Sequence, residues 1–297
     1  MKKSLNIVFA LVCSTTLFFV GCRKKETTEV DNETQSAVDN AVADQEYAAI
    51  VPAVNSHAIN TKGAGSGDRT FASCDSLTKI SGDTLNFGLP FNAANYNSFP
   101  TYTMNISNSN CNLTMPDGKL RTGAVWIKLT DKIKNPGAMM IIKLLNYKTL
   151  GAITYSCDSI VVTTQASSSV TPKYNQFNIK LFGGVCQKTT WTIKYSFDRT
   201  VKHYLNGDPS LTATPTDPVT YVWGTANGTN REGRTFNVSI PSSTPLVKRK
   251  SCEFVQKGVM ELTPDGFKTR TVDFGNGTCD DDATFTVNGN TVAFKLK

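Results

Sequence analysis

The chain has 297 residues, with 31 lysine and arginine side chains against 24 aspartate and glutamate and a formal charge of +7. The basic residues are dispersed, the densest clusters being Arg23-Lys24-Lys25 and Lys248-Arg249-Lys250, which argues against the basic stripe that nucleic-acid binding needs. Only two histidines are present, so chemistry that uses histidine as a proton shuttle has little to draw on.

The first element in chain order is a leader. Lys2 and Lys3 precede an apolar run from Ile7 to Val20, interrupted only by Cys13, Ser14, Thr15 and Thr16. That run is too short for a bilayer core about 30 Å thick, which takes about 20 helical residues. It reads as a signal h-region over residues 1–21. The run closes in Phe19-Val20-Gly21-Cys22, which resembles a lipobox and predicts cleavage before Cys22 and acylation of its thiol. Two or more acyl chains give stable anchoring, so the expected first partner is a lipid bilayer, held through Cys22. Arg23, Lys24 and Lys25 then lie against anionic headgroups. Because Arg23 and not aspartate follows Cys22, delivery to the outer membrane is the expectation, on its periplasmic or surface side.

Residues 22–70 read as the anchor and a tether. Ala37, Val38, Ala41, Val42, Ala48 and Ala49 fall near helical spacing between Asp31 and Ile50, which predicts one weakly amphipathic helix stopped by Pro52. The glycines of Thr61–Asp68 predict a hinge. No apolar strand precedes them and no Gly-Lys-Ser/Thr follows, so a phosphate loop is not indicated.

Residues 71–297 read as an all-β body. Val125, Ile127 and Leu129 share one strand face, Trp191, Ile193, Tyr195 and Phe197 another, and Phe236, Val238 and Ile240 a third, each with the period of two that marks strands. Asn288-Gly289 predicts a hairpin turn, because both residues tolerate positive φ. Pro116-Asp117-Gly118 and Pro264-Asp265-Gly266 predict two more turns. The expected solution is an antiparallel β-sandwich-like body of one or two units.

Apart from Cys13 in the leader and Cys22, six cysteines remain: Cys74, Cys111, Cys157, Cys186, Cys252 and Cys279. An even number suits an exported, oxidised chain, and six cysteines permit 15 pairings. The sequential set, Cys74 with Cys111, Cys157 with Cys186 and Cys252 with Cys279, encloses hairpin-sized loops, and each bridge would stabilise by roughly 3–4 kcal/mol. No Cys-x-x-Cys occurs and neither His57 nor His203 lies near a cysteine in sequence, so no metal or other cofactor is expected.

Gly224 through Phe236, then Lys250-Ser251-Cys252, then Thr271 through Asp280 resemble the C-terminal signature of a family of β-rich lipoproteins of Bacteroidota. The segment Glu33-Thr34-Gln35-Ser36-Ala37 resembles the same family's helical tether. The resemblance implies an envelope lipoprotein and brings no activity with it.

Catalytic motifs are few. His203 continues the register of Trp191–Phe197 and reads as a core or strand-edge residue. Asp280-Asp281-Asp282 matches no EF-hand spacing and reads as a solvated turn. Glu232, Glu253, Glu261 and Asp273 could supply the opposed carboxylates of a glycosidase. Trp126, beside Lys128 on the face opposite Val125 and Ile127, is either packed in a strand covered on both sides or a platform that stacks on a ligand such as a sugar. The expected function is therefore a non-enzymatic binding, adhesion or structural role for a glycan or protein ligand in the envelope, with a glycan-directed hydrolase as the alternative.

Overall fold

Alternating apolar and polar residues leave one side of a strand to be buried, and in this chain what covers that side comes from the N-terminal segment. The computed structural model describes residues 31, 33–60, 75–81, 101–106, 121–131, 135–149, 153–170, 173–207 and 217–296. The leader, Cys22, Cys74, Cys111, the glycine-rich hinge and the turn at Pro116 lie outside the described residues. A helix, α1 (Gln35–Asn60), is followed by β1 (Asp75–Ser81), β2 (Thr101–Ile106), β3 (Arg121–Leu129), β4 (Met139–Thr149), β5 (Thr154–Ser156), β6 (Ser159–Ser168), β7 (Tyr174–Lys188) and β8 (Trp191–Tyr204). Then come β9 (Val219–Thr229), β10 (Thr235–Ile240), β11 (Leu246–Arg249), β12 (Lys257–Pro264), β13 (Arg270–Asn276), β14 (Asp282–Val287) and β15 (Asn290–Lys295).

The strands join in one antiparallel sheet of 15, nearly in sequence order from β1 to β15. The exceptions are local. The strand is interrupted at Cys157-Asp158, so β5 and β6 lie end to end between β4 and β7, and Pro241 and Pro245 bracket the break between β10 and β11, which both pair with β9 and β12. Proline cannot donate to the ladder, which ends β10 there. The all-β, antiparallel expectation holds, and the described chain from Glu33 onward forms one unit. Asn288 and Gly289 turn β14 into β15 with φ of 54° and 76°, the positive pair that a tight hairpin requires.

One face of the sheet is the core. Val125, Ile127, Met140, Ile142, Tyr147, Ile160, Val162, Leu181, Ile193, Tyr195, Phe236, Val238 and Leu262 are all buried in a single cluster with Ala43, Tyr47, Ile50, Val51 and Val54 of α1. The reading of residues 22–70 as a tether is therefore corrected for its helical part: α1 is a structural member of the body. Pro52 does not stop the helix, which runs to Asn60. Proline in a helix interior costs about 3 kcal/mol, and burial of Ile50, Val51 and Val54 on either side offsets it, since each such side chain is worth roughly 1.5–3 kcal/mol.

Polar residues complete the seat of α1. Ser36, Asp39, Asn40 and Glu46 lie on its buried face, and each of the acids from Glu33 to Glu46 meets an arginine of the body. Arg121 on β3 holds Glu46 through Nε at 2.5 Å and Nη2 at 3.0 Å, with Tyr147 donating to the same carboxylate at 2.8 Å. Arg199 on β8 pairs with Asp44. Arg231, in the turn between β9 and β10, holds Asp39 through Nε at 2.8 Å and its backbone amide at 2.7 Å. Arg270 on β13 donates to the Glu33 carbonyl at 2.7 and 3.0 Å, and the Glu33 carboxylate accepts from the Ser36 amide at 2.8 Å, closing the first turn of the helix. Tyr47 donates to the carbonyls of Ser156 at 2.6 Å and Val185 at 3.1 Å. Contacts from β3 to β13 thus converge on one helix.

Candidate functional site

With α1 filling the inner side, the side chains available to a ligand are those that alternate outward. On β7, β8 and β9 they form a ladder of aromatic residues around one cation. Tyr174 stands directly across from Tyr204, and Lys202 directly across from Tyr221. The rings of Tyr174 and Tyr204 are 5.9 Å apart and those of Tyr204 and Tyr221 5.8 Å. Lys202 Nζ lies 4.3 Å from the Tyr174 ring centre and 4.9 Å from that of Tyr204, within range of a cation–π contact. Trp223 continues the same face opposite Thr200. All five side chains are half-buried, so ring faces remain open to solvent.

Two residues further along β9 the outer face turns polar. A shallow hollow of about 290 Å³ is lined by Thr225, Asn227, Asn237, Ser239, Glu261 and Thr263. Strand register builds it: Asn237 pairs with Asn227 and with Thr263, and Ser239 pairs with Thr225 and with Glu261. Amide and hydroxyl groups each donate and accept, and a single carboxylate accepts. That donor set matches a polyhydroxylated ligand better than a phosphate, which calls for arginine or lysine.

Trp126 is half-buried on the outer face of β3, with Lys143 Nζ 5.6 Å from its ring centre. It lies in another part of the sheet and does not join the hollow. His203 accepts or donates through Nδ1 at 2.9 Å to Thr220 Oγ1. Burial and then Lys250 hold its pKa below the ordinary value. Below about pH 6.5 the unfolded chain takes up this proton before the folded one does, so stability falls as the pH drops through the ordinary histidine range. We expect His203→Gln to flatten that decline, read as the change in urea midpoint between about pH 7 and about pH 5.

Asp281 and Asp282 share Lys295 at 2.6 and 2.8 Å, and Asp280 accepts from the Asp282 amide at 3.0 Å, so the acidic run closes on itself. Among the described residues no group of three or more His, Cys, Asp or Glu side chains is placed to hold a metal. Of the four carboxylates considered for glycoside cleavage, Glu232 and Glu253 are exposed in connecting segments. Asp273, exposed on β13, accepts from the Gly275 amide at 2.9 Å. Only Glu261 lines the hollow.

Cys252 and Cys279 are bonded, as expected. The expected bridge between Cys157 and Cys186 is absent, and both are free thiols. Register explains it: Tyr155 stands across from Cys186, and Cys157 falls just past the end of β5. Burial pushes the Cys157 thiol up to about 11 and the Cys186 thiol up to about 12, which leaves both unreactive at neutral pH.

The tyrosine ladder was not found by sequence reasoning. Its local signal is only the alternation Lys202-His203-Tyr204, while Tyr174 and Tyr221 reach it through strand pairing. No helix among the described residues is long and apolar enough to cross a membrane. No protein-family model, no curated protein and no solved structure matches this chain.

Proposed function

We propose that this chain is an envelope lipoprotein, acylated at Cys22, whose β body binds glycan on the outer face of β7 to β12 without cleaving it. The observation that carries the reading is the continuity of the tyrosine ladder with the polar hollow. Sugars present apolar C–H faces and hydroxyl edges, and this surface offers rings for the first and amides, hydroxyls and one carboxylate for the second. The anchor side of the reading is supported by the leader, the lipobox-like Gly21-Cys22 and the resemblance of residues 224–280 to β-rich lipoproteins of Bacteroidota, and Arg23 in place of aspartate after Cys22 favours the outer membrane. A hydrolase would need a second carboxylate facing Glu261 across a bound sugar, and the acid nearest it by register, Asp273 on β13, does not line the hollow.

The test is a glycan array probed with residues 23–297, read for retention and for new reducing ends. A shorter body lacking α1 is unsuitable, because the helix supplies part of the core. Binding without cleavage is the expected result. Tyr204→Ala weakens retention about five- to tenfold, the worth of one aromatic contact, while leaving the melting temperature within a few degrees. Release of reducing ends that is lost in Glu261→Gln would replace the binding reading with the hydrolytic one. Labelling of the wild type but not of Cys22→Ala by a palmitate analogue checks the anchor separately.

A further inference from the structure

Outward positions on β3, β4, β6 and β7 hold a second surface of different chemistry, which the glycan reading does not use. Large apolar side chains are exposed here in a group: Met139 at 36 %, Leu145 at 43 % and Phe182 at 46 %. Met139 and Leu145 stand six residues apart on β4 with Ile141 and Lys143 between them on the same face, Leu145 across from Ala124 and Phe182 across from Ser159. Lys128 stands across from Ile141, Ile141 across from Val161, and Val161 across from Lys180, while Trp126 stands across from Lys143 and Met139 across from Thr163. At about 4.8 Å between strands and 3.4 Å per residue, the patch measures roughly 14 by 20 Å. Three exposed apolar side chains, Trp126 and several lysines share this one face, so its chemistry is amphipathic.

The charges identify what it meets. Lys128, Lys143 and Lys148 are exposed along β3 and β4, and Lys143 also stacks toward Trp126. The acids nearby are Asp198, paired with Lys180 at 2.8 Å, Asp158, exposed at the rim beside Gly183, and Asp131, next to the Thr130 that bonds Met139 and accepting from Asn135 at 3.0 and 3.1 Å. An apolar centre with a tryptophan and a fringe of lysines is the composition that settles into the headgroup layer of an anionic bilayer, rings and aliphatic groups at the acyl boundary and ammonium groups on phosphate. A protein partner of ordinary affinity would instead deplete lysine at the contact and favour arginine.

We propose that the outer face of β3, β4, β6 and β7, centred on Trp126, Ile141, Leu145 and Phe182, seats this protein on an anionic lipid surface. The contact adds to the anchor at Cys22 and does not depend on it.

The test uses unacylated residues 23–297 in flotation with vesicles of phosphatidylethanolamine and phosphatidylglycerol, against vesicles of phosphatidylcholine alone. The expected result is flotation with the anionic vesicles only, abolished in the double variant Leu145→Asp, Phe182→Asp. Lys128→Glu and Lys143→Glu each weaken it by about fivefold or more. All four positions are exposed or half-buried, and an unchanged thermal melt verifies that the variants fold. Absence of flotation by the wild type overturns the proposal, as does equal flotation of the Asp double variant. A dimer in sedimentation that the same double variant dissolves, without flotation by the wild type, overturns it in favour of self-association. Because no acyl chain is present, none of these outcomes depends on whether Cys22 is modified.

Discussion

A chain that begins at Thr61, lacking α1, is expected to remain unfolded. Tyr47, Ile50, Val51 and Val54 are each buried to 6 % exposure or less, and each large apolar side chain buried is worth about 1.5–3 kcal/mol. Their sum approaches the whole stability of an ordinary domain, about 5–15 kcal/mol. Loss of the helix also uncovers Arg121, Arg199 and Arg270, which are buried against its acids. Far-ultraviolet circular dichroism and resistance to protease check it: a truncated chain that keeps a native sheet spectrum and a cooperative melt would return α1 to the role of tether.

The second large effect belongs to Arg121. Its guanidinium and the Glu46 carboxylate are almost wholly buried, with side-chain exposures of 0 % and 2 %. Removing one partner of such a pair leaves a charge in a medium that cannot solvate it, which costs about 3–5 kcal/mol. Arg121→Ala therefore lowers the unfolding free energy by that amount in a urea titration. The double variant Arg121→Met, Glu46→Leu recovers most of the loss, since a pair of well-packed apolar side chains replaces a buried ion pair at little or no cost. If the single variants cost less than about 1 kcal/mol, the value of an exposed pair, the seam is solvated and the burial argument fails.

The helix seam also shows where sequence reasoning stops. Strand faces such as Ile193, Tyr195 and Phe197 were legible because their signal is local: two residues along the chain return to the same side. The Asn288-Gly289 hairpin was legible for the same reason, whereas the bond between Cys252 and Cys279 belonged to a sequential set whose Cys157–Cys186 member does not form. The buried side of α1 was not. It carries Ser36, Asp39, Asn40 and Glu46 among its apolar residues, while Val38 and Ala48 are exposed, so hydrophobic periodicity under-reports it. What makes those acids suitable for burial is the arginines they meet, 75 residues away for Glu46 and Arg121 and 192 for Asp39 and Arg231. The outer-face ladder was hidden similarly. Tyr174, Lys202, Tyr204 and Tyr221 become one surface only through the register of three strands. Trp126, by contrast, was placed on the correct face by alternation alone, and its lysine neighbour across the strand came with the fold.

The proposal that ligands meet the outer face rests on the inner face being occupied by α1 as part of the same cooperative unit. Native-state hydrogen exchange resolves this residue by residue. The expected result is that the amides of Ala43 to Val51 exchange with the same free energy and the same denaturant dependence as those of Ile193, Tyr195 and Phe197 on β8. Exchange of the helix amides at a free energy several kcal/mol lower, with β8 still protected, would mean that α1 leaves the sheet on its own and that the inner face is open to other occupants.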